Sequence, residues 1–213
     1  MISVNEIFTS LSGEGLTAGM PTTFVRISGC NFAEEGHPCS YCDTSYAWEK
    51  CQGREMTIAE IVQEVSRYPT REIILTGGEP LSIGSQKFDE LIDALTGYHV
   101  RVETNGSIPF WNNTVSYDMD IKCPSSGNSF YNFYRMLSSL REHDSVKFVI
   151  GTREDFDFAK KVIGTYPTRA TLLISPIWGK LNLQEVWEWV KEVPQFRLSL
   201  QLHKVIFGNK KGV

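Results

Sequence analysis

Strand-like and helix-like segments alternate along almost the whole chain, which limits the folds that are open to it. The strand candidates are residues 2–8, 22–28, 72–76, 99–104, 116–121, 145–150, 170–175 and 197–202. The helical patterns are residues 57–67, 85–96, 129–141, 153–165 and 182–193. Such alternation is typical of a parallel sheet covered by helices, so it predicts an α/β fold, as an open sheet or as a barrel. The 213 residues are enough to bury a large core, and we expect residues 1–213 to form a single domain.

Polar or glycine-rich clusters follow most of the strand candidates. The clearest clusters are residues 10–15, 76–80, 103–106, 120–125, 175–178 and 201–204. Each cluster alone is most simply a turn. The carboxyl ends of parallel strands, however, lie at one rim of the fold, where α/β enzymes carry their chemistry. Together the clusters therefore predict a functional site at that rim.

Three cysteines, Cys30, Cys39 and Cys42, lie in the loop after strand candidate 22–28. Iron–sulfur clusters are held by cysteine thiolates, usually four of them for a four-iron cluster. A loop that supplies three leaves one iron open to an exogenous ligand. An open iron is what S-adenosylmethionine needs in order to be bound and reduced for radical chemistry.

A structural zinc site is the alternative, because Cys51 could join these three cysteines as a fourth ligand. Zinc ribbons usually contain two close cysteine pairs, and only Cys39 and Cys42 have that spacing here. The spacing therefore favours the cluster and leaves zinc open. A disulfide framework is less expected, since the five cysteines are an odd number and the chain begins without a basic, apolar signal peptide.

Composition excludes several classes of function. The net charge of −4 provides no basic footprint for nucleic acid or for an anionic membrane. No apolar stretch approaches the ~20 residues that span a bilayer, so we expect a cytoplasmic protein. The sequence contains no Gly-x-Gly-x-x-Gly after the first strand candidate and no Gly-x-x-x-x-Gly-Lys-Ser/Thr, so neither of these nucleotide-binding patterns is present.

The cysteines, together with Gly77-Gly78-Glu79-Pro80, resemble the motifs of the radical S-adenosylmethionine superfamily. The usual cysteine spacing there is three residues and then two, whereas this chain has eight and then two. The first interval therefore contains an insertion of five residues. Within the superfamily the chain resembles the 7-carboxy-7-deazaguanine synthase family over its full length. The matching stretches are residues 7–8, 12–15, 24–26, 29–31, 42–44, 103–106, 201–204 and 207–213.

This resemblance implies an incomplete (β/α) barrel of about six parallel strands, usually paired as a homodimer. It implies conversion of 6-carboxy-5,6,7,8-tetrahydropterin to 7-carboxy-7-deazaguanine with loss of ammonia, in queuosine- or archaeosine-type biosynthesis. The implied cofactors are a 4Fe-4S cluster, S-adenosylmethionine and Mg²⁺. An external electron donor of the flavodoxin or ferredoxin type is also implied.

The resemblance assigns site residues by role. Substrate contacts are implied for Leu11, Ser12, Gly13, Glu14, Arg26, Thr76, His203 and Val213. Contacts with S-adenosylmethionine are implied for Tyr41, Asp43, Gly78, Glu79, Asp120, Ile121, Lys122, Ser175, Pro176, Ile177 and Trp178. The implied metal ligands are Cys30, Cys39 and Cys42 for the cluster and Thr44 for Mg²⁺.

Residue chemistry supports some of these roles and leaves others open. A guanidinium at Arg26 can bind the substrate carboxylate through two parallel hydrogen bonds, and Glu79 can accept from the ammonium group of S-adenosylmethionine. His203 can instead be structural, Thr44 a turn cap and Lys122 a surface lysine. The family often has Ser-Pro-Lys at positions 120–122, where this chain has Asp120-Ile121-Lys122.

Two other functions share part of this pattern. A glycyl-radical activase has the same cluster motif and Gly-Gly-Glu-Pro run but acts on a protein partner. A zinc-stabilised binding protein would use the cysteines without catalysis. The Gly-Glu-Gly loop at residues 13–15 and Asp43-Thr44 argue against the activase.

Overall fold

The structure is a computed structural model that describes residues 1–110, 112–210 and 212. Within these residues the strands join one sheet in the order β3-β1-β2-β4-β5-β6-β7-β8-β9. Their bounds are β1 Ile2–Leu11, β2 Pro21–Ile27, β3 Arg54–Met56, β4 Glu72–Gly77, β5 His99–Thr104, β6 Ser116–Ile121, β7 Ser145–Ile150, β8 Thr171–Pro176 and β9 Phe196–Leu198.

Strand direction divides the sheet into two parts. β2 and the strands from β4 to β9 are parallel to one another. β1 runs antiparallel to both β2 and β3. β3 and β9 are the two edges of the sheet, so the barrel is open on one side. The predicted incomplete α/β barrel is confirmed, and its parallel part is one strand longer than expected.

The α-helices of the described residues are α1 Asn31–Glu34, α2 Ile58–Val65, α3 Ser85–Ala94, α4 Arg153–Thr165, α5 Leu183–Lys191 and α6 Leu202–Phe207. A capping box begins α2, since the Thr57 hydroxyl accepts from the Glu60 N–H while the Glu60 carboxylate accepts from the Thr57 N–H. In the described ranges, no helix has the length and apolar character that crossing a membrane requires.

The helix predicted at residues 129–141 is wrong, because this segment forms short 3₁₀ turns at Ser129–Tyr131 and Tyr134–Ser139. The Asn132 side chain explains the difference. Its amide accepts from the Lys122 N–H at 2.8 Å and donates to the Lys122 carbonyl at 2.9 Å. Such side-chain bonding to backbone competes with a continuous helix. The segment is fixed to the end of β6 instead, and Phe130 is left 96% exposed.

The strand predicted at residues 197–202 is also wrong in part. β9 ends at Leu198, and α6 begins at Leu202. The Leu202 N–H donates to the Gly13 carbonyl at 2.8 Å, so the chain leaves the sheet and turns across the loop after β1. This turn brings the C-terminal segment to the predicted rim.

Candidate active site at the carboxyl ends of the strands

Strand residues alternate between the two sides of the sheet, and the polar residues of several strands lie on the same side. In β2, Val25 and Ile27 are fully buried in the hydrophobic core, whereas Arg26 points to the opposite face. Parallel register places Arg26 beside Thr76 of β4. The Thr76 hydroxyl donates to Glu103 of β5 at 2.7 Å. Polar side chains of three neighbouring strands therefore form one row.

A largely buried charge network continues this row across β6 and β7. The Lys147 Nζ lies 3.0 Å from Glu14 and 3.2 Å from Asp120. Lys122 contacts Asp120 from the other side at 2.8 Å. Burial alone would raise the pKa of Asp120, but Lys122 and Lys147 together hold it below its ordinary value. Burial would likewise lower the pKa of Lys147, yet Asp120 and Glu14 hold it well above the ordinary value. These groups keep their charges.

The C-terminal segment joins the loop after β1. The Gln201 side chain donates to Glu14 at 2.7 Å, so this carboxylate is held by both Gln201 and Lys147. A Cβ atom at Gly13 would collide with Nδ1 of the His203 ring. Burial lowers the pKa of His203. The structure thus brings the predicted substrate residues Gly13, Glu14 and His203 together.

The remaining residues of the β1 loop are held by local bonds. Ser12 is fully buried, and its hydroxyl lies 2.9 Å from that of Thr17. Leu11 ends β1 opposite Pro21 of β2. Backbone groups of this loop are therefore fixed in place. Val213, which was also assigned to the substrate, lies outside the described residues.

Arg26 has a carboxylate partner that the sequence did not predict. Its Nε donates to Glu6 of β1 at 2.7 Å, and its guanidinium lies 5.9 Å and 5.7 Å from the ring centroids of Phe8 and Tyr46. The guanidinium carbon is thus placed over two aromatic faces. This arrangement fixes the side chain on the polar face.

The cysteine loop is held at both of its ends. The Cys30 N–H donates to the Trp48 carbonyl at 2.8 Å, and the Cys42 N–H donates to the Cys39 carbonyl at 3.1 Å. All three thiols are free and partly buried. Burial raises the pKa of Cys30 and of Cys39. The negative charge of a Cys39 thiolate would raise the pKa of Cys30 further. Cys39 and Cys42 therefore share one turn, and Cys30 begins the loop beside Trp48.

This donor set fits an iron–sulfur cluster. In the described part of the chain, no three Cys, His, Asp or Glu side chains gather around a point that could hold one metal ion. A four-iron cluster binds each thiolate through a different iron, so its ligands spread more widely. Cys51, the fourth candidate for a zinc site, is exposed, and its thiol donates to Glu49 at 3.3 Å.

The Gly-Gly-Glu-Pro run passes directly beside the start of the cysteine loop. The Gly78 N–H donates to the Ile27 carbonyl at 2.9 Å, and the Glu79 N–H donates to the Gly29 carbonyl at 2.8 Å. Cβ atoms at Gly77 and Gly78 would collide with the backbone of Ile27 and Gly29, respectively. Glycine is required here for the close approach of the chain to itself.

Glu79 points into the protein. Its carboxylate accepts from the Leu81 N–H at 3.0 Å, the Thr104 hydroxyl at 2.8 Å and the Asn105 N–H at 2.6 Å. The side chain has no exposed surface, and burial raises its pKa to about 7. These bonds tie the end of β4 to the end of β5. The contact between this carboxylate and S-adenosylmethionine stays a prediction.

Asp43 and Thr44 lie between the cysteine loop and the C-terminal segment. Lys204 contacts Asp43 at 2.5 Å, and the Thr44 hydroxyl donates to Asp43 at 3.1 Å. Partial desolvation would raise the pKa of Asp43, whose side chain is 54% exposed, but Lys204 holds this pKa below the ordinary value. Thr44 is therefore beside a charged carboxylate at the rim.

The other residues assigned to S-adenosylmethionine differ in how far their side chains are buried. Burial raises the pKa of Tyr41, whose hydroxyl is buried without a partner among the described residues. Ile121 is fully buried in the core, so only its backbone can face a ligand. Ser175 and Pro176 end β8 and are buried, Ile177 is partly buried and Trp178 is 44% exposed.

Sequence reasoning placed Glu103 in a rim cluster without a role in the site and gave no role to Lys147, which lies at the centre of the charge network. Lys147 stands between Val146 and Phe148, both fully buried. A single charged residue within an apolar strand indicates a polar inner face, and this signal could have found it.

The chain is similar to known proteins over most of its length. Residues 24–115 match the family model for the radical SAM superfamily. A 7-carboxy-7-deazaguanine synthase of Methanospirillum hungatei is 42% identical over 211 residues, which cover 96% of this chain and 85% of that protein. The chain belongs to the 7-carboxy-7-deazaguanine synthase family.

Further comparisons agree with this family. The 7-carboxy-7-deazaguanine synthase of Leptospira interrogans is 36% identical, and the match covers 99% of this chain and 98% of that protein. The crystal structure of QueE from Escherichia coli has the same fold, with a TM-score of 0.71, 21% identity and coverage of 95% of this chain and 94% of that chain. Membership of the family brings with it a 4Fe-4S cluster and S-adenosylmethionine as cofactors.

Proposed function

We propose that this chain is a lyase that converts 6-carboxy-5,6,7,8-tetrahydropterin to 7-carboxy-7-deazaguanine with release of ammonia, in 7-deazapurine biosynthesis. The observation that carries the proposal is the meeting of the family's separate motifs at one rim. Glu14 of the Gly-Glu-Gly loop contacts Gln201 of the C-terminal motif at 2.7 Å. The three-cysteine loop is joined to the same region through Asp43 and Lys204.

Cys30, Cys39 and Cys42 would hold the cluster. Together with S-adenosylmethionine, the bound cluster supplies an organic radical. A buried, water-poor site suits such chemistry because it protects reactive species from solvent. The polar face provides it, since Lys147 and Asp120 are mostly buried and neutralise each other.

Arg26 would bind the carboxylate of the pterin. A guanidinium offers several N–H donors, and the Nε bond to Glu6 directs the group without using all of them. Tyr46 donates to the same Glu6 oxygen at 3.3 Å and so supports the pair. If the substrate lacks this carboxylate, Arg26 should therefore no longer contribute to the free energy of binding.

Glu14 would accept from the amine of the pterin ring. Gln201 and Lys147 hold one carboxylate oxygen each, at 2.7 Å and 3.0 Å. A carboxylate oxygen can accept more than one hydrogen bond, so both remain able to bind a ligand. Backbone groups of Leu11, Ser12 and Gly13, with Thr76 and His203, would complete the contacts to the ring.

S-adenosylmethionine would lie along the rim beside the cysteine loop. Its proposed contacts are Tyr41, Asp43, Gly78, Glu79, Asp120, Ile121, Lys122 and residues 175–178. Lys122 supports this position because it is buried directly after β6 and its charge is held 2.8 Å from Asp120. Mg²⁺ would bind the Thr44 oxygen, with its other ligands from substrate and water.

The proposal includes further features. The enzyme would receive electrons from a flavodoxin- or ferredoxin-type donor, act as a homodimer and operate in the cytoplasm, with residues 1–213 as one domain.

Anaerobic reconstitution tests the function. With reductant, S-adenosylmethionine and the carboxypterin, the wild-type protein should produce 7-carboxy-7-deazaguanine, detected by mass spectrometry. Cys39→Ala should lose both iron and product, whereas Cys51→Ala should keep both, because Cys51 is exposed and its thiol donates to Glu49. Equal loss of metal in both variants would favour the alternative of a four-cysteine zinc site. Cleavage of S-adenosylmethionine without deazapurine would point to another radical enzyme, such as an activase.

A further inference from the structure

Two of the three loop cysteines accept hydrogen bonds from side chains outside the ligand set. The indole Nε1 of Trp48 lies 3.1 Å from the Cys42 Sγ. The amide Nδ2 of Asn128 lies 3.5 Å from the Cys39 Sγ. Both donors are neutral N–H groups, so they can approach a thiolate without becoming ligands themselves.

Trp48 links both ends of the cysteine loop. Its carbonyl accepts from the Cys30 N–H at 2.8 Å, while its side chain donates to Cys42. The preceding Ala47 carbonyl accepts from the Gly29 N–H at 3.0 Å. The backbone therefore holds the indole at a fixed distance from the loop, and substitution of the ring would leave these backbone bonds in place.

Asn128 is oriented by His37, which belongs to the lengthened interval between Cys30 and Cys39. The Asn128 amide N–H donates to the His37 carbonyl at 3.0 Å, and its oxygen lies 2.9 Å from the His37 Nδ1. A carbonyl can only accept, so this pair decides which end of the amide faces Cys39. The His37 ring is stacked on Tyr131 at 4.7 Å. The inserted residues thus direct an N–H group toward a ligand thiol.

Hydrogen bonds to thiolate sulfurs are one of the means by which proteins set the potential of an iron–sulfur cluster. Reduction adds an electron, and part of the added charge lies on the sulfur ligands. An N–H donor stabilises that charge more strongly in the reduced form than in the oxidised form. Removal of the donor should therefore make reduction less favourable.

We propose that Trp48 and Asn128 are positioning residues for the cluster, which donate to the Cys42 and Cys39 thiolates and raise the reduction potential. The proposal rests on the proposed ligand assignment. It gives the insertion a role, since His37 fixes the second donor.

The test is a redox titration of the reconstituted enzyme with dithionite and mediators, followed by electron paramagnetic resonance. Trp48→Phe keeps an aromatic ring but removes the N–H, and Asn128→Ala removes the second donor. In each we expect the equilibrium constant for one-electron reduction to fall by about threefold to tenfold, where tenfold corresponds to 59 mV. Trp187→Phe is the matched control, because Trp187 is 49% exposed on the protein surface. The cluster in this variant should have the same reduction potential as the cluster in the wild type.

A measurement on the unmodified sequence covers the case in which a variant loses its cluster. With ¹⁵N-labelled tryptophan, the reduced wild-type cluster should show a nitrogen hyperfine coupling from the indole. A wild-type protein that holds iron and cleaves S-adenosylmethionine but lacks this coupling would overturn the proposal. So would unchanged midpoints in both variants at normal iron content, and either result leaves the proposed function intact. Absence of iron from the wild type after reconstitution would instead overturn the ligand assignment.

Discussion

Gly13 and His203 are packed against each other although they lie near opposite ends of the chain. A Cβ atom at position 13 would collide with Nδ1 of the imidazole ring, and the Gly13 carbonyl accepts from the Leu202 N–H at 2.8 Å. The loop after β1 therefore fixes the position of the His203 ring. Both residues are proposed to contact the pterin, so their packing determines the shape of that part of the site.

Gly13→Ala should displace the His203 ring and weaken binding of the carboxypterin by about tenfold, since crowding of a packed contact typically costs ~1–3 kcal/mol. Affinity for S-adenosylmethionine should remain near that of the wild type. Calorimetric titration of each ligand measures both. Gly164→Ala is the control, because this glycine lies in α4 and no neighbouring atom of the described residues lies within 4 Å of an added Cβ atom. Wild-type pterin affinity in Gly13→Ala would contradict the assigned packing.

Arg26→Ala should weaken pterin binding by about tenfold to a hundredfold, since a hydrogen bond to a charged group contributes ~1.5–3 kcal/mol. The reason is the loss of the partner of the substrate carboxylate. Titration with an analogue that lacks the carboxylate provides the comparison, because wild type and variant should bind it with similar affinity. An equal loss for both ligands would mean that Arg26 supports the sheet through Glu6 and does not bind the carboxylate.

The buried carboxyl of Glu79 should make stability depend on pH. Burial raises its pKa to about 7 from an ordinary value of 4.5, so the folded chain binds the proton more tightly than the unfolded chain. The stabilisation is fully present below pH 4.5 and is lost as the pH rises toward about 7. Relative to Glu79→Gln, the free energy of unfolding of the wild type should therefore fall by about 3 kcal/mol across this window.

Urea denaturation of the cluster-free chain at several pH values measures this difference. Glu60→Gln is a control of opposite sign, since backbone and hydroxyl bonds from Thr57 lower the pKa of Glu60, and its contribution is lost as the pH falls. If the free energy of unfolding changes with pH in the same way for the wild type and Glu79→Gln, folding does not raise the pKa of Glu79.

Thr44→Ala should lose the stimulation of turnover by magnesium while it keeps the cluster and slow cleavage of S-adenosylmethionine. Mg²⁺ requires oxygen ligands in near-ideal geometry and cannot accept a methyl group in their place. Thr44→Ser keeps the oxygen and should retain part of the activity. Product formation against magnesium concentration compares the three proteins. Identical magnesium dependence in Thr44→Ala and the wild type would mean that this hydroxyl only bonds Asp43.

Much of the fold could be predicted from local pattern. The strands at 99–104, 116–121 and 145–150 and the helix at 153–165 agree with the structure, because each has a periodic apolar face. Residues 129–141 could not be predicted in this way. Their apolar spacing resembles a helix, but Asn132 bonds the backbone of Lys122, which lies 10 residues earlier in the chain and so cannot be a helical neighbour.

The site divides in a similar way. The cysteines and the glycine run have motifs that can be read in sequence order. No motif predicts that Glu6 bonds Arg26 or that Trp48 bonds Cys42. These contacts arise only when the fold brings separate strands and loops together. Glu79 shows the limit most clearly. Its position in the motif was recognised, but only the fold reveals that three protein donors already surround its carboxylate.

The central claim is the ring contraction itself, and one time course tests it most directly. The reconstituted protein is incubated anaerobically with reductant, S-adenosylmethionine, Mg²⁺ and 6-carboxy-5,6,7,8-tetrahydropterin, and both deazapurine and ammonia are quantified. The account predicts that 7-carboxy-7-deazaguanine and ammonia accumulate in equal amounts. Consumption of S-adenosylmethionine with neither product, in a sample that retains its iron, would contradict it.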